Sequence, residues 1–446
     1  IIDFAVQFLR VRELVEERYD RDVSPRFKKI LEAYAQGAND YARAHPDELL
    51  VKNVLPVTTQ DVLVGYCMSL VLIQGAHFHL GNILEGMPGA PTPNSLRGSN
   101  GFAFNSKRTA DGQVYLANNS HQPLDGPTSW YEAHTVSEEG LNVLGGLFPG
   151  GVSIFAGANL DIAWMQTVNN PDLVDVYELE SNPKNKLQYK YDGEWKTLEV
   201  RKAKMKVKLG PIKLKVSRKT YWSVHGPVIE GKKAAKGKFY AIRFSALHTI
   251  KAAEQWHTMG KARNYTQFRK ALEMGGLPSL NCVYADRQDT IYYVCNGLYP
   301  IRKEGYDWRG LLPGNTSEVV WTEFHPYDEI PQVLNPPSGY VFNVNNTPYS
   351  CTAPEDNPKR EDYSPTIINF PVENNRSLRF LELVEAEETV TWEDFKRIKY
   401  DQTYPDSVYI YFLTNGQKIF ELPANEFPDI KEEIELLNNW DREADA

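Results

Sequence analysis

The first candidate for chemistry is a serine at the start of an apolar segment. Ser99 follows Gly98 directly and leads into Asn100-Gly101-Phe102. A serine hydroxyl is a weak nucleophile until a base removes its proton, and a free α-amine with a pKa of about 8 can be that base near neutral pH. Cleavage between Gly98 and Ser99 would therefore give Ser99 both the attacking hydroxyl and the base, as an amide hydrolase requires.

Two other kinds of protein stay open at this point. One is a conventional serine hydrolase or metallohydrolase, although the sequence contains neither a G-x-S-x-G elbow nor an H-E-x-x-H pair. The other is a non-catalytic binding protein in which the Gly98-Ser99 bond stays intact. Electrophoresis separates these classes, because only the N-terminal serine hydrolase requires two fragments.

Composition and charge exclude several classes of protein. The 446 residues are 42% hydrophobic and 24% charged, so the chain can bury one large core or two medium-sized ones. A net charge of -9 argues against a nucleic-acid partner. No segment approaches the roughly 18 consecutive apolar residues of a membrane span, and the opening Ile1-Ile2-Asp3-Phe4 does not resemble a signal peptide. We expect a soluble chain without a membrane span that begins within a longer protein.

The sequence divides into four segments by pattern. Residues 1–85 carry apolar side chains at helical spacing and predict a helical layer. Residues 86–98 are rich in glycine and proline and predict an exposed spacer. Residues 99–320 are dominated by strand patterns, whereas residues 321–446 form a Pro- and Asn-rich connection followed by two helical segments.

A hairpin is predicted to bring a histidine close to Ser99. The dipeptide Asp111-Gly112 is a strong hairpin signal, because both residues tolerate positive φ. If these two residues form the loop, His121 on the returning strand lies opposite Phe102. An imidazole then sits within a few residues of the candidate nucleophile.

Three further elements follow from local patterns. Strands are predicted at Val152–Phe155, Ile162–Thr167 and Val174–Leu179. Lysines alternate with apolar residues from Lys202 to Lys215, which predicts a ribbon with one basic and one apolar face and a solvated edge. The alternative is a nucleic-acid surface, but no aromatic residues lie between the lysines to support it. An amphipathic helix is predicted from Ala252 to Met274.

Two cysteines flank another predicted hairpin. Cys282 and Cys295 stand on either side of a turn at Gln288-Asp289, which would place them directly opposite each other. A disulfide in an oxidising compartment and two buried free thiols are both open.

Several segments, taken in order, resemble the penicillin acylase family of N-terminal nucleophile hydrolases. The segments that carry the resemblance are Gly98-Ser99-Asn100, Leu116 to His121, Ile162 to Asp175, His225-Gly226-Pro227, Pro278 to Asn281 with Tyr284-Ala285-Asp286, and Pro300-Ile301-Arg302. The resemblance runs the length of the chain. It implies an α+β fold, namely the αββα four-layer sandwich of stacked antiparallel sheets. It also implies a precursor that is cut before Ser99 into a heterodimer of small and large subunits, of which this chain is a part.

The resemblance also implies catalytic roles. The Ser99 hydroxyl attacks an amide carbonyl while its α-amine takes the proton. The backbone N–H of Val168 and the side-chain amide of Asn281 hold the oxyanion, and Arg302 orients the site. His121 matches a histidine of acylases that act on N-acyl-homoserine lactones and lipopeptides, where penicillin G acylases carry glutamine; a purely structural histidine is the alternative.

The same resemblance implies a binding pocket and a metal site. Phe78, Gln122 and Phe155 match positions that line the acyl pocket, although Gln122 replaces the phenylalanine usual there. The substrate class implied is a small acylated amide, such as an acyl-homoserine lactone, a lipopeptide or a β-lactam, and the implied location is periplasmic or secreted.

No cofactor is required for the chemistry, but a structural calcium ion is implied. Its ligands are the carboxylates of Asp172 and Asp175, the carbonyl of Val174 and a helical glutamate, Glu85, which is spaced one residue further from Phe78 than in the family pattern. Two loop carboxylates that shape a turn are the alternative.

Overall fold

The computed structural model describes residues 2–50, 54–89, 98–122, 124–125, 129–169, 171–209, 212–368, 373–410 and 414–444. The α-helices in these ranges are α1 (Ile2–Phe8), α2 (Val11–Asp22), α3 (Pro25–Ala44), α4 (Thr59–Ile73), α5 (Ala76–Glu85), α6 (Ala252–Lys261), α7 (Tyr265–Leu272), α8 (Asn375–Glu385), α9 (Trp392–Tyr400) and α10 (Lys431–Asn438). The strands are β1 (Ser99–Phe104), β2 (Tyr115–Ser120), β3 (Tyr131–Ser137), β4 (Leu141–Leu147), β5 (Ala156–Ala158), β6 (Ile162–Thr167), β7 (Val174–Leu179), β8 (Ser181–Asn182), β9 (Asn185–Tyr191), β10 (Glu194–Thr197), β11 (Glu199–Leu209), β12 (Ile212–Ser223), β13 (Gly226–Glu230), β14 (Phe239–Phe244), β15 (Asn281–Asp286), β16 (Ile291–Val294), β17 (Leu311–Pro313), β18 (Gln332–Leu334), β19 (Tyr340–Asn343), β20 (Val408–Ile410) and β21 (Thr414–Gln417).

Two stacked sheets position the candidate nucleophile. One has the order β19-β1-β2 and the other the order β18-β16-β15-β6-β5-β4-β3. They pack so closely that a Cβ added at Gly101 of β1 would lie 2.9 Å from the Met165 side chain of β6. This contact explains why the strand carries glycine at that position.

Helices cover the outer faces of both sheets. Phe102 on β1 faces away from the second sheet and packs its ring against Phe380 of α8, with a centroid distance of 5.1 Å, and against Phe395 of α9. On the far side of the seven-stranded sheet, Phe268 of α7 packs against Trp164 and Tyr284. The layers therefore run helix, sheet, sheet, helix, which confirms the predicted αββα sandwich.

A third sheet extends from the sandwich in the order β11-β12-β13-β14-β7-β17, with β17 parallel to β7 and the other pairs antiparallel. The predicted ribbon is confirmed as β11 and β12, and Lys202, Lys204 and Lys206 on its outer strand are exposed. The side chain of Gln7 in α1 pairs with the backbone of Lys204, accepting from its N–H at 2.9 Å and donating to its carbonyl at 3.1 Å. The exposed lysines fit the solvated-edge interpretation, and Gln7 covers the backbone of this edge at Lys204.

The helical layer predicted for residues 1–85 is confirmed by α1 to α5. Local signals explain the helix starts: the Ser24 side chain caps α3, and Thr58 forms a capping box with Asp61 at the start of α4. Most of the predicted spacer, residues 90–97, lies outside the described residues. The division of the chain into four segments stays a prediction.

Two local predictions are wrong. The helix predicted from Ala252 to Met274 is divided into α6 and α7, because the Asn264 side chain accepts from the N–H of Gln267 and starts a new helix. The strand predicted at Val152–Phe155 is displaced to β5 at Ala156–Ala158, since the Tyr66 hydroxyl accepts from the N–H groups of Val152 and Ser153 instead.

The cysteine hairpin is confirmed with a different register. Cys282 pairs with Val294, one residue short of Cys295, so the two cysteines are not directly opposite. The four cysteines of the chain are all buried, and all four are thiols rather than halves of a disulfide. The free-thiol alternative therefore fits the structure.

The hairpin between β1 and β2 also has a longer connection than predicted. Ser99 pairs with Ser120 and Phe102 with Ala117, because the turn spans the residues from Asn105 to Val114 rather than two residues. His121 lies just beyond β2 and donates its backbone N–H to the Gly98 carbonyl at 2.9 Å. The predicted position opposite Phe102 is wrong, and His121 is closer to Ser99 than expected.

Within the described residues, no single helix is long and apolar enough to cross a membrane, whereas α4 and α5 taken together, bent by 55°, meet the length and composition of a broken span.

Candidate active site around Ser99

Ser99 is the first residue of β1 and is only 3% exposed. Its hydroxyl donates to the Gly98 carbonyl oxygen at 2.7 Å, and its backbone N–H donates to Oδ1 of Asn345, also at 2.7 Å. Both atoms on which the predicted chemistry depends, Oγ and N, are thus held at a fixed point between the sheets. The hydroxyl lies beside the carbonyl that a self-cleavage reaction would attack.

Asn345 follows β19 and was missed by the sequence analysis. Its backbone is left-handed, with φ of 70°, a conformation that asparagine tolerates better than most residues. Its N–H donates to the Asn343 side chain at 2.9 Å, and its own Nδ2 donates to the Val168 carbonyl at 2.7 Å. Asn345 therefore joins Ser99 to the loop that carries one predicted oxyanion donor.

Arg376 is the second residue that the sequence analysis missed. It lies in the first turn of α8, which Asn374 caps by accepting from the N–H of Arg376 at 3.0 Å. Its guanidinium donates to the carbonyl of Ser99 at 2.9 Å and to the side chains of Asn100 and Asn345. Burial lowers the pKa of Arg376 to about 10, which still leaves the side chain cationic at neutral pH.

His121 lies against the residue before the nucleophile. A Cβ added at Gly98 would fall 2.3 Å from Nδ1 of His121 and 3.3 Å from Nη2 of Arg376. Partial burial and the Arg376 cation lower the pKa of His121 below its ordinary value, so the imidazole is neutral at pH 7. A neutral imidazole at this point can accept or relay a proton.

Asn281 starts β15, next to the end of β6. Its Nδ2 donates to Oγ1 of Thr167 at 3.0 Å and to Oδ1 of Asn343 at 2.9 Å, and its Oδ1 accepts from the Tyr293 hydroxyl at 3.0 Å. Asn281 pairs with Thr167, which directly precedes Val168. The structure thus brings the two predicted oxyanion residues to neighbouring strand ends of the same sheet. To donate to an oxyanion, Nδ2 of Asn281 must give up its hydrogen bond to either Thr167 or Asn343.

Arg302 lies in a buried ion cluster, and none of its described hydrogen bonds reaches Ser99. Its guanidinium binds both oxygens of Asp175, at 3.0 and 3.1 Å, and Oδ2 of Asp172 at 3.3 Å. Burial raises the pKa of Asp172 to about 7, against the opposing effect of the Arg302 charge. The cluster joins Arg302 to the segment that follows Val168, and an orienting role for Arg302 stays a prediction.

The predicted calcium ligands have other partners. Asp172 and Asp175 face Arg302, Val174 lies between them at the start of β7, and Glu85 at the end of α5 pairs with Lys233. The described residues contain no group of three or more histidine, cysteine, aspartate or glutamate side chains arranged to hold a metal ion. The side chains as placed do not fit a calcium cradle, and the ion stays a prediction.

We predict that Arg302→Met destabilises the protein by about 3–5 kcal/mol, because two buried carboxylates lose their cation. Chemical unfolding followed by circular dichroism measures this loss. The matched control is Arg263→Met, whose partner Asp161 is 32% exposed and whose own side chain is 59% exposed, so its removal costs less than about 1 kcal/mol. Equal losses for the two variants would contradict a structural role for the buried cluster.

The predicted acyl-pocket residues are placed differently from one another. Phe155 lines a cleft of about 140 Å³ together with Tyr66, Phe148 and Trp256. Phe78 lies on α5 with its ring tilted against that of His77, at a centroid distance of 4.0 Å, outside the lining of that cleft. Gln122 is half-buried, and among the described residues nothing donates to its Oε1.

The layered fold of the chain is also that of a solved acylase. The structure resembles the thermostable penicillin G acylase from Alcaligenes faecalis with a TM-score of 0.63 and 24% sequence identity, covering 78% of this chain and 60% of that one. The sequence matches the penicillin amidase family over residues 1–446. The chain belongs to the penicillin amidase family, as the resemblance indicated.

Curated relatives are acylases of two kinds. The acyl-homoserine lactone acylase PvdQ of Pseudomonas syringae pv. syringae (strain B728a) is 25% identical over 335 residues, which cover 67% of this chain and 42% of the relative. Penicillin G acylase of Escherichia coli is 28% identical over 274 residues, which cover 59% of this chain and 30% of the relative. The chain spans less than half the length of these relatives.

Proposed function

We propose that this protein is an amidohydrolase that cuts its own chain before Ser99 and then hydrolyses N-acylated amides through the new N-terminal serine. The observation that carries the proposal is the placement of Ser99, whose Oγ lies 2.7 Å from the Gly98 carbonyl oxygen and whose N lies 2.7 Å from Oδ1 of Asn345. Acyl-homoserine lactones, lipopeptides and β-lactams are the candidate substrates. The two fragments stay together as a heterodimer in a periplasmic or secreted location.

The cut proceeds by attack of Ser99 Oγ on the carbonyl carbon of Gly98. The C–N bond between the two residues breaks as a C–O ester bond forms, and the hydroxyl proton passes to the nitrogen. Water then hydrolyses the ester and leaves a carboxylate on Gly98 and a free α-amine on Ser99. Neutral His121, whose backbone N–H already binds the Gly98 carbonyl, is close enough to relay a proton in this step.

Turnover uses the same hydroxyl on a substrate amide. The α-amine takes the proton of Ser99 Oγ as the hydroxyl attacks, and later gives it to the leaving amine. The acyl-enzyme ester is hydrolysed by water and releases a carboxylic acid. The N–H of Val168 and the side chain of Asn281 hold the oxyanion, and each such donor lowers the barrier by about 3–4 kcal/mol.

The cleft lined by Phe155 is the proposed site for the acyl chain. Its walls combine aromatic side chains with aliphatic ones such as Val62, Leu70 and Ile73, and its volume of about 140 Å³ suits part of an aliphatic or aryl chain. Gln122 and Phe78 are proposed to contact the acyl group nearer the nucleophile and along α5. No reaction step of the proposal depends on a calcium ion, because the side chains of Asp172, Asp175 and Glu85 are paired with Arg302 and Lys233.

Mass determination of the purified full chain under denaturing conditions tests the cut. Two fragments whose boundary falls before Ser99 are expected, and one intact chain would instead favour a binding protein. The second measurement is release of fatty acid from a panel of acylated amines, with acyl-homoserine lactones, a lipopeptide and penicillin G as probes. A cut protein that releases no acid from any of them would contradict the proposed activity.

We predict that Gly98→Ala slows the cut and leaves turnover unchanged. The added methyl group would meet Nδ1 of His121 at 2.3 Å, so the imidazole must move before the reaction. After the cut, residue 98 is the carboxyl end of the N-terminal fragment and is no longer bonded to Ser99. Its side chain is therefore not expected to affect turnover. A time course on denaturing gels measures the cut, and the activity of fully cut protein gives the comparison; equal rates of cutting for both proteins would contradict the prediction.

A further inference from the structure

We propose that Arg376 holds the α-amine of Ser99 in its neutral form while Asn345 orients it, so that the amine serves as a base below the pH at which a free α-amine would. This inference rests on the proposed function, because the amine exists only after the cut. It adds a pair of positioning residues from β19 and α8 to those that the sequence indicated.

Asn345 fixes the direction of the amine. Its side-chain amide bridges two atoms, since Oδ1 accepts from Ser99 N at 2.7 Å and Nδ2 donates to the Val168 carbonyl at 2.7 Å. A rotation of the amide would lose both hydrogen bonds. When one N–H of a neutral amine donates to Oδ1, the orientation of the nitrogen lone pair is restricted, which favours one line of proton transfer from Ser99 Oγ.

Arg376 supplies the charge that disfavours protonation. Its Nη2 donates to the same Oδ1 of Asn345 at 2.9 Å, and its Nη1 donates to the Ser99 carbonyl at 2.9 Å. In the part of the chain that the structure describes, no carboxylate forms an ion pair with Arg376, so its cation stays uncompensated beside the amine. A second positive charge on Ser99 N is therefore unfavourable, and burial of Ser99 adds to this effect.

The other titratable groups around Ser99 do not cancel this charge. His121, from the segment after β2, is neutral at pH 7, because burial and Arg376 lower its pKa. Tyr293, from β16, contacts Asn281 through its hydroxyl, and Glu373, before α8, accepts from the hydroxyl of Ser377. Arg376 is thus the dominant charge that faces the amine.

The location of Arg376 in its helix points the same way. It lies in the first turn of α8, at the positive end of the helix dipole, where a cation is disfavoured. Its guanidinium donates hydrogen bonds to neutral oxygens of Ser99, Asn100 and Asn345. An arginine placed against the local electrostatic preference is explained by its contacts with the nucleophile.

The test is the pH dependence of kcat/KM on a fatty-acyl p-nitroanilide, after the cut has been verified by mass. The wild-type acid limb is expected to have its midpoint below about 8, the pKa of an ordinary α-amine. Arg376→Met is expected to raise that midpoint by about one pH unit, and Asn345→Asp, which places a carboxylate at the amine, to raise it as well. Arg376→Lys keeps the charge and is expected to restore most of the wild-type midpoint.

Arg379→Met is the matched control, because Arg379 lies one turn further along α8 and pairs with Asp401 rather than with Ser99. Its midpoint is expected to equal that of the wild type. A cut and active wild type whose midpoint is unchanged in Arg376→Met and Asn345→Asp would overturn this inference alone. Variants that fold with normal melting temperatures but stay uncut would overturn it too, since the pair would then serve the cut, whereas an uncut, inactive wild type would refute the proposed function itself.

Discussion

Ser99→Ala is expected to give a folded, uncut chain without measurable acylase activity. In the proposed mechanism this variant lacks the atom that attacks in both reactions, Oγ, which lies 2.7 Å from the Gly98 carbonyl oxygen. Loss of a catalytic serine lowers turnover by on the order of 10⁴–10⁶-fold in well-studied hydrolases. In addition, the amine that serves as base is never released. Mass determination and an acyl-release assay on the same sample measure both losses.

Two variants make this result specific. Ser99→Cys keeps a nucleophile at the same position and is expected to be cut, although at a different rate. Ser106→Ala removes a serine just beyond the other end of β1, where the hydroxyl binds Asp289, and is expected to be cut and active with a small loss of stability. Normal processing of Ser99→Ala would refute the assignment of the nucleophile.

The αββα fold was implied by the family resemblance, whereas single helices and strands could be predicted from local signals. The cap residues Ser24 and Thr58 and the alternation of β11 specify helices and strands without reference to distant residues. Register was less accessible, since it depends on contacts between distant segments. The β1–β2 turn is longer than Asp111-Gly112 because Thr109 and Arg108 pair with Val390, a contact that no local pattern contains.

The candidate site was predictable only where a family motif marks it. Ser99, His121 and Asn281 stand in motifs, and the structure places them at or next to the ends of strands in the two stacked sheets. Asn345 and Arg376 lie about 250 and 280 residues from Ser99 along the chain, and only the fold brings them together. The available signal was the cluster of three asparagines within Asn343 to Asn346, at the end of a buried strand. Without the structure, this pattern indicates only a turn.

Asn281 shows how a residue can serve both the fold and the proposed reaction. It is buried, and its amide makes three hydrogen bonds, to Thr167, Asn343 and Tyr293. An oxyanion carries a full negative charge and is a stronger acceptor than the neutral Oδ1 of Asn343 or the Thr167 hydroxyl. We therefore expect the amide to exchange one of these partners for the oxyanion as charge develops, which makes the donor specific for the transition state.

Asn281→Ala is accordingly expected to be cut yet to lose about 10²–10³-fold in kcat, with KM changed much less. The variant also leaves neighbouring polar groups unpaired, so some loss of stability is expected, and Tyr293→Phe is the matched control. That control removes the hydrogen bond to Asn281 Oδ1, together with the interaction of the Tyr293 hydroxyl with Cys295, and leaves the donating Nδ2 in place. If both variants have a lower melting temperature but only Asn281→Ala loses much of its kcat, the loss of activity is due to the missing oxyanion donor and not to lower stability. If Asn281→Ala keeps activity within about tenfold of wild type, Asn281 is not an oxyanion donor.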